Sequence, residues 1–249
     1  MSEKSAPKIR KIVDPPKPDN KAIHPNLPQP NAQVLMVMPC KNGKSTIGSN
    51  CILSSEFYGL DYFDIPPLVI SNTINSDVTN RFLKKSCDCH DRYDDEIIYK
   101  FVENQKKYGD VTQMPKACVF IDDCLGDKTP ALNALSSRYR HSNIHLMLIS
   151  SQLFRKVSPV IRANATNILI GKLQNAKELE KLSDEYSGMF KGDKKFRELY
   201  KKATKKKYDF LHLNLQENPA EAWRNFEEKL FPIGNEANSD SEEDEEDED

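Results

Sequence analysis

Residues 34–53, VLMVMPCKNGKSTIGSNCIL, pass from an apolar run through Gly43, Lys44 and Ser45 into a helical pattern. At such a junction the backbone N–H groups and a helix N-terminus hold phosphate, a lysine neutralises it and a hydroxyl serves a metal ion. The usual spacing, G-x-x-x-x-G-K-[ST], has a glycine where this chain has Met38. The N–H groups of residues 42–45, nearest the phosphates, are unaffected by that change. Pro39 restrains the turn that lost its glycine.

Two further groups suit the same chemistry. ACVFIDD ends an apolar run in Asp122 and Asp123. One carboxylate at a strand end can hold the water shell of magnesium opposite Ser45, and its neighbour can polarise an attacking water. HLMLISSQ places Gln152 at the end of another apolar run, the edge at which open α/β sheets bind ligands.

The elements that must position these residues follow from the alternation of short apolar runs with helical patterns, which predicts an α/β fold on a largely parallel sheet. Strands are expected at 33–38, 67–71, 117–122, 145–150 and 167–171, each apolar enough to be covered on both faces, with a sixth at 208–215. In DDEIIYKFVENQKKYG, Ile97, Ile98, Phe101 and Val102 share a helical face, Asp94 to Glu96 suit the N-terminal dipole, and Gly109 ends the helix. Thr129-Pro130 opens another helix as a cap followed by proline. After Asn218-Pro219, AEAWRNFEEKLF predicts a last helix with Trp223, Phe226 and Leu230 on one face, docked on the sheet.

Composition bounds the setting. The 249 residues suit one large domain with tails. No run reaches the eighteen or so apolar residues of a membrane span, and six cysteines without an export signal read as reduced thiols, so a soluble intracellular protein is expected. Residues 236–249 hold ten carboxylates and no base, which leaves 28 acids against 36 bases over 1–235, a net of +8. That balance suits a polyanionic partner. Seven prolines among the first thirty residues, and self-repulsion in the acidic tail, predict that both ends stay unfolded.

Taken together, VMPCKNGKST, VFIDD and RYRHSNIHLMLISSQ, in this order and spacing, resemble the FtsK/HerA-type genome-packaging ATPases of large DNA viruses and virophages, over roughly residues 33–215. The resemblance implies a P-loop NTPase fold with a RecA-like, mostly parallel sheet. It implies an ATP-hydrolysing motor that moves double-stranded DNA into a capsid as a homo-oligomeric ring, a pentamer or hexamer, docked on capsid or portal-vertex proteins. The cofactors it implies are ATP and Mg2+, with nucleotide contacts expected from Lys41, Asn42, Gly43, Lys44, Ser45 and Thr46. By the same resemblance Ser45 and Asp122 would hold the metal, Asp123 would be the catalytic carboxylate, and Gln152 would sense the γ-phosphate. Arg140 would reach a neighbouring subunit's nucleotide, with Arg138 as its competitor. Asp123 stands where related motors often carry glutamate. The host cytoplasm, in a virus factory, is the expected location, with the virion as a second. The implied division is a Pro-rich flexible arm at 1–31, the ATPase core at 32–215, a C-terminal helix at 216–235 and an acidic disordered tail at 236–249. A helicase or repair translocase of the same superfamily is the leading alternative, and a non-hydrolysing nucleotide-dependent scaffold the next.

Other conspicuous residues have plainer readings. Cys87, Cys89 and His90 cluster without an evident fourth ligand and read as loop thiols rather than a zinc site. His141 and His145 are structural. Cys40 occupies a small position of the phosphate loop. Lys191 to Lys207 carries nine bases and two acids around an apolar stripe of Phe196, Leu199, Tyr200 and Ala203, so one face packs and the other is free to meet DNA backbone.

Overall fold

The computed structural model describes residues 23–76, 81–125 and 129–232. A nine-stranded sheet runs through it in the order β3-β2-β4-β5-β1-β6-β7-β8-β9. β1 (Ala32–Val37), β2 (Leu68–Ser71), β3 (Asp88–His90), β4 (Ala117–Asp122), β5 (Ile144–Ser151) and β6 (Asn167–Ile170) are parallel. β7 (Leu211–Asn214), β8 (Glu221–Arg224) and β9 (Glu228–Phe231) continue the sheet antiparallel.

Alternation along each strand feeds two cores, as a sheet covered on both faces requires. Leu35, Val37, Val119, Ile121, Ile149 and Ile168 face one side, where α3 (Asp95–Lys106), α4 (Pro130–Arg138), α5 (Pro159–Ala163), α6 (Ala176–Tyr186) and α7 (Asp193–Ala203) pack. Val34, Met36, Phe120, Leu146 and Leu148 face the other, under α1 (Lys44–Leu53) and the aromatic cluster Tyr58, Tyr62 and Phe63. The short α2 (Leu83–Ser86) precedes β3.

The expected strands all form. The N-terminus of α3 is capped by the Asp94 side chain, which accepts from the Glu96 N–H. Thr129 does stand at the N-cap of α4 but makes no side-chain cap; the Asp95 carboxylate and the Tyr93 hydroxyl accept from the Ala131 and Leu132 N–H groups instead. The apolar stripe of α7 is buried as read from its spacing. His145 is structural, its Nδ1 2.7 Å from the Tyr62 hydroxyl.

Three expectations are corrected. Over its described part, residues 216–232, the expected C-terminal helix is replaced: β8 and β9 make a hairpin on β7, with Asn225 in the left-handed conformation at its turn (φ 55°). The edge of β7 would otherwise leave a row of backbone groups unpaired, and closing it outweighs the helical spacing of Trp223, Phe226 and Leu230. Cys89 and His90 belong to an edge strand rather than a loop, and no group of three metal-binding side chains occurs among the described residues. Finally, the proline-rich segment is folded from residue 23 on. Ile23 and Leu27 are buried, Asn26 Nδ2 donates to the Phe226 carbonyl (2.9 Å), the Gln29 N–H donates to Gln216 Oε1 (3.1 Å), and the Pro28 carbonyl accepts from Tyr58. Residues 1–22 and 233–249, which take in the rest of the N-terminal arm, the end of the expected helix and the whole acidic tail, lie outside the described residues.

Candidate nucleotide-binding site

The phosphate loop joins β1 to α1. Its left-handed positions are Lys41 (φ 61°) and Gly43 (φ 91°), so position 38 is not a place where the backbone demands glycine. The Met38 side chain is instead fully buried, and it lies where a Cβ on Gly171 would be, 2.8 Å from the Met38 Cγ. The departure from the usual motif is therefore absorbed by a glycine just past the adjacent strand β6. Gly43 caps α1 without a side-chain hydrogen bond, which leaves the N–H groups of the first turn to a ligand. Asn42 Nδ2 turns back on the Cys40 carbonyl (3.4 Å), and Lys41, Asn42 and Thr46 lie along the same loop and first turn.

Lys44 is 6% exposed, and its ammonium touches the Met38 carbonyl (2.8 Å), the Pro39 carbonyl (3.3 Å) and Asp123 Oδ2 (3.0 Å). Gln152 Nε2 donates to that same Asp123 oxygen at 3.3 Å. One carboxylate oxygen thus joins the loop lysine, the end of β4 and the end of β5. Asp123 itself sits at φ 53°, an uncommon conformation for a non-glycine residue, just past the strand.

Asp122 is buried and clamped by hydroxyls. Ser45 Oγ donates to its Oδ2 (2.8 Å), Ser150 Oγ to its Oδ1 (2.7 Å), and Ser71 Oγ lies 3.3 Å from Oδ2. Burial pushes its carboxyl above the ordinary carboxylate range, against the pull of the Ser150 and Ser45 hydrogen bonds. A cation at this position would relieve that desolvation. The Ser45 hydroxyl and Asp122 carboxylate are hard oxygen donors, and few of them suffice when phosphates and water complete the shell, so the residues fit magnesium.

The sheet order explains the convergence. β5 lies between β1 and β4, so the loop, the acids and Gln152 end side by side at one edge. The strand that separates the two motifs in sequence, β2, lies outside β4 in space. Ser71 and Ser150 were not singled out from the sequence. Their signal is register: each is the Cα partner of Asp122 on a flanking strand. Lys156 was also missed; it lines a cleft of about 180 Å3 with Asp123, Ser150 and Gln152. A larger cleft, about 530 Å3, lies beyond Lys156 between α4 and α5 and includes no part of the phosphate loop, so chemistry rather than volume locates the site.

Arg140 is not brought to this cluster. It lies in the turn Tyr139–Ser142 before β5, exposed, with its guanidinium 5.6 Å from the Tyr139 ring. The eight residues of β5 separate it from Gln152 by roughly 25 Å. Arg138 ends α4 near the same edge.

The fold is that of P-loop ATPases. The genome packaging NTPase B204 of Sulfolobus turreted icosahedral virus 2, in complex with AMP, superposes with a TM-score of 0.55 at 19% identity, covering 78% of this chain and 96% of that one. The DNA-packaging ATPase B204 of Sulfolobus turreted icosahedral virus gives 0.54 at 17%, over 78% and 97%. The pCW3 conjugation coupling protein TcpA gives 0.53 at 16%, over 74% and 57%. The resemblance read from the sequence is borne out at the level of fold. Two viral proteins are similar in sequence: the uncharacterised 075L of Invertebrate iridescent virus 6, 29% identical over 49% of each chain, and the uncharacterised 088R of Invertebrate iridescent virus 3, 27% identical over 66% of this chain and 64% of that one. The matched region thus spans about half to two thirds of these relatives. No protein-family model matches. Among the described residues no helix is long and apolar enough to cross a membrane.

Proposed function

We propose that the chain is an ATP-hydrolysing motor that moves double-stranded DNA into a viral capsid, working as a homo-oligomeric ring against capsid or portal-vertex proteins. The observation that carries the catalytic part is the single Asp123 oxygen shared by Lys44 and Gln152. A γ-phosphate offers Lys44 a more highly charged partner than a carboxylate and draws it off Asp123. Asp123 then orients water for in-line attack on the γ-phosphorus and takes up its proton, while the bond to the β-phosphate oxygen breaks. Gln152, hydrogen-bonded to Asp123, registers whether the γ-phosphate is present. Lys41 to Thr46 bind the phosphates through backbone N–H groups. Magnesium at Ser45 and Asp122 supplies charge neutralisation on the phosphates.

The motor reading draws on the basic surface of α7 and the segment after it, where exposed lysines surround a buried stripe and suit backbone contact without base reading. The fold likeness to a conjugation coupling protein is as close as that to the packaging enzymes, so fold alone does not select packaging over another DNA translocase. The viral origin of both sequence relatives favours packaging. A non-hydrolysing scaffold loses its one hint, since Met38 occupies a position that does not call for glycine.

ATP hydrolysis measured with and without double-stranded DNA tests the reading. Stimulation by DNA is expected in the unaltered chain, with Asp123→Asn retaining nucleotide binding and hydrolysing at least about a hundredfold more slowly. Nucleotide binding with no turnover in either protein would leave a scaffold; turnover indifferent to DNA would remove the motor.

A further inference from the structure

Sheet order gives the phosphate loop two unlike flanks. On one side lie β5 and β4, whose ends carry Gln152 and Asp123 and so mark where the γ-phosphate belongs. On the other lie β6 and β7. Because β7 runs antiparallel to β6, its first residue, Leu211, pairs with Ile170 at the end of β6, and the segment leading into β7 arrives at the same edge as the loop. A nucleotide whose terminal phosphate meets Asp123 must send its base toward this second flank.

Tyr208 stands there. Its Cδ1 is 4.0 Å from where a side chain on Gly43 would begin, and the residue is 57% exposed although most large rings of this chain are buried. Its backbone lies at φ 72°, a conformation that bulky residues rarely adopt. The surroundings hold it in place. The Asp209 N–H donates to the Lys206 carbonyl (3.3 Å), Asn225 Nδ2 donates to Asp209 Oδ1 (3.2 Å), and Asn225 exchanges hydrogen bonds with the backbone of Phe210 at 3.0 and 3.1 Å. The turn of the β8–β9 hairpin thus anchors the segment that presents the ring. The Lys207 ammonium lies 4.8 Å from the ring centroid, which adds positive charge beside the ring.

We propose that Tyr208 is the stacking platform for the nucleobase of the bound nucleoside triphosphate. The proposal rests on the phosphate-loop reading and adds the base end of the ligand to it. Every base has a π-face, so the platform accepts purine triphosphates with little discrimination between ATP and GTP. Its contribution belongs to binding and leaves the transfer step to the opposite flank.

Equilibrium binding of ATP and of inorganic tripolyphosphate, which has the phosphates and no base, separates the two ends in the full chain. Tyr208→Ala should weaken ATP about tenfold and leave tripolyphosphate unchanged, while Tyr208→Phe keeps both, since the face and not the hydroxyl does the stacking. Lys44→Ala should lose both ligands. Equal weakening of ATP and tripolyphosphate in Tyr208→Ala would make the ring a support for Gly43 and overturn the stacking role, and no weakening of either would overturn it as well. If the unaltered chain bound neither ligand, the phosphate-loop reading would fail and the proposal with it.

Discussion

Six strands, β3 to β6 across the sheet, run parallel and finish at one edge, where Lys44, Asp122, Asp123 and Gln152 meet; the three that follow, β7 to β9, alternate in direction and bring none of these side chains. The difference is geometric. Parallel neighbours all end on the same side, so each strand can deliver a residue to one place, and Asp122 receives hydroxyls from both strands beside it at matching register. Antiparallel neighbours end on opposite sides, so a hairpin closes an edge and extends a core more readily than it assembles a cluster. On the function proposed here, the molecule separates into a region that would perform chemistry and one that braces it, with the Tyr208 segment as the proposed point of contact between the brace and the ligand.

Arg140 is the largest threat to that separation, because it belongs to the parallel region yet sits at the wrong end of β5. A guanidinium placed against the γ-phosphate of a neighbouring subunit is worth about a thousandfold in rate, near 4 kcal/mol. Arg140→Ala is expected to bind ATP as a separated subunit and to fail at hydrolysis in the assembly. Mixing it with Lys44→Ala should restore part of the activity, because an intact loop then meets an intact arginine across some interfaces. Mixed rings without recovery would confine catalysis to the carboxyl edge of one chain, and recovery with Arg138→Ala instead would move the role two residues upstream.

The bracing region is tested by Phe231, buried in β9 with its ring edge-on to Phe190 at 5.6 Å. Phe231→Ala should cost about 3 kcal/mol in a urea titration while hydrolysis per folded molecule is unchanged. A fall in turnover at temperatures where the variant is folded would show that the hairpin does more than brace.

The two regions also differ in how far they were legible in the sequence. β1, β2, β4, β5 and β6 are covered on both faces, so each reads as a continuous apolar run, and the motif residues at their ends are recognisable from type and spacing. β3 has no such signal: Asp88, Cys89 and His90 form an edge strand of three residues. The hairpin misled for another reason. Trp223, Phe226 and Leu230 have helical spacing, and the pairing of β8 with β7 depends on an edge that only the assembled sheet presents. Asn225, suited to a left-handed turn, was the local signal against a helix. Within the candidate site, Lys44, Ser45, Asp122, Asp123 and Gln152 are legible from type and spacing, whereas Ser71 and Ser150 depend on strand register and the role proposed for Tyr208 on strand direction.

The smallest expected effect lies at the boundary between the regions, where Gly171 follows β6 and Met38 begins the phosphate loop. The Gly171 N–H donates to the Val37 carbonyl at 3.0 Å, which fixes the two backbones close together. A methyl group on Gly171 would meet the Met38 Cγ at 2.8 Å and its Cβ at 3.1 Å, the stiff base of the side chain rather than its free end. Gly171→Ala is therefore expected to cost about 1–2 kcal/mol through overpacking. Met38→Ala alone should also destabilise, by leaving a cavity. If the buried methionine is accommodated by the missing side chain on its neighbour, the two changes together should cost less than their sum by about 1 kcal/mol or more, since the new methyl enters the space that Met38 vacates. Strict additivity in denaturant titrations of the four proteins would mean that the loop tolerates Met38 by some other means, and the boundary strand would then belong to neither side of the comparison.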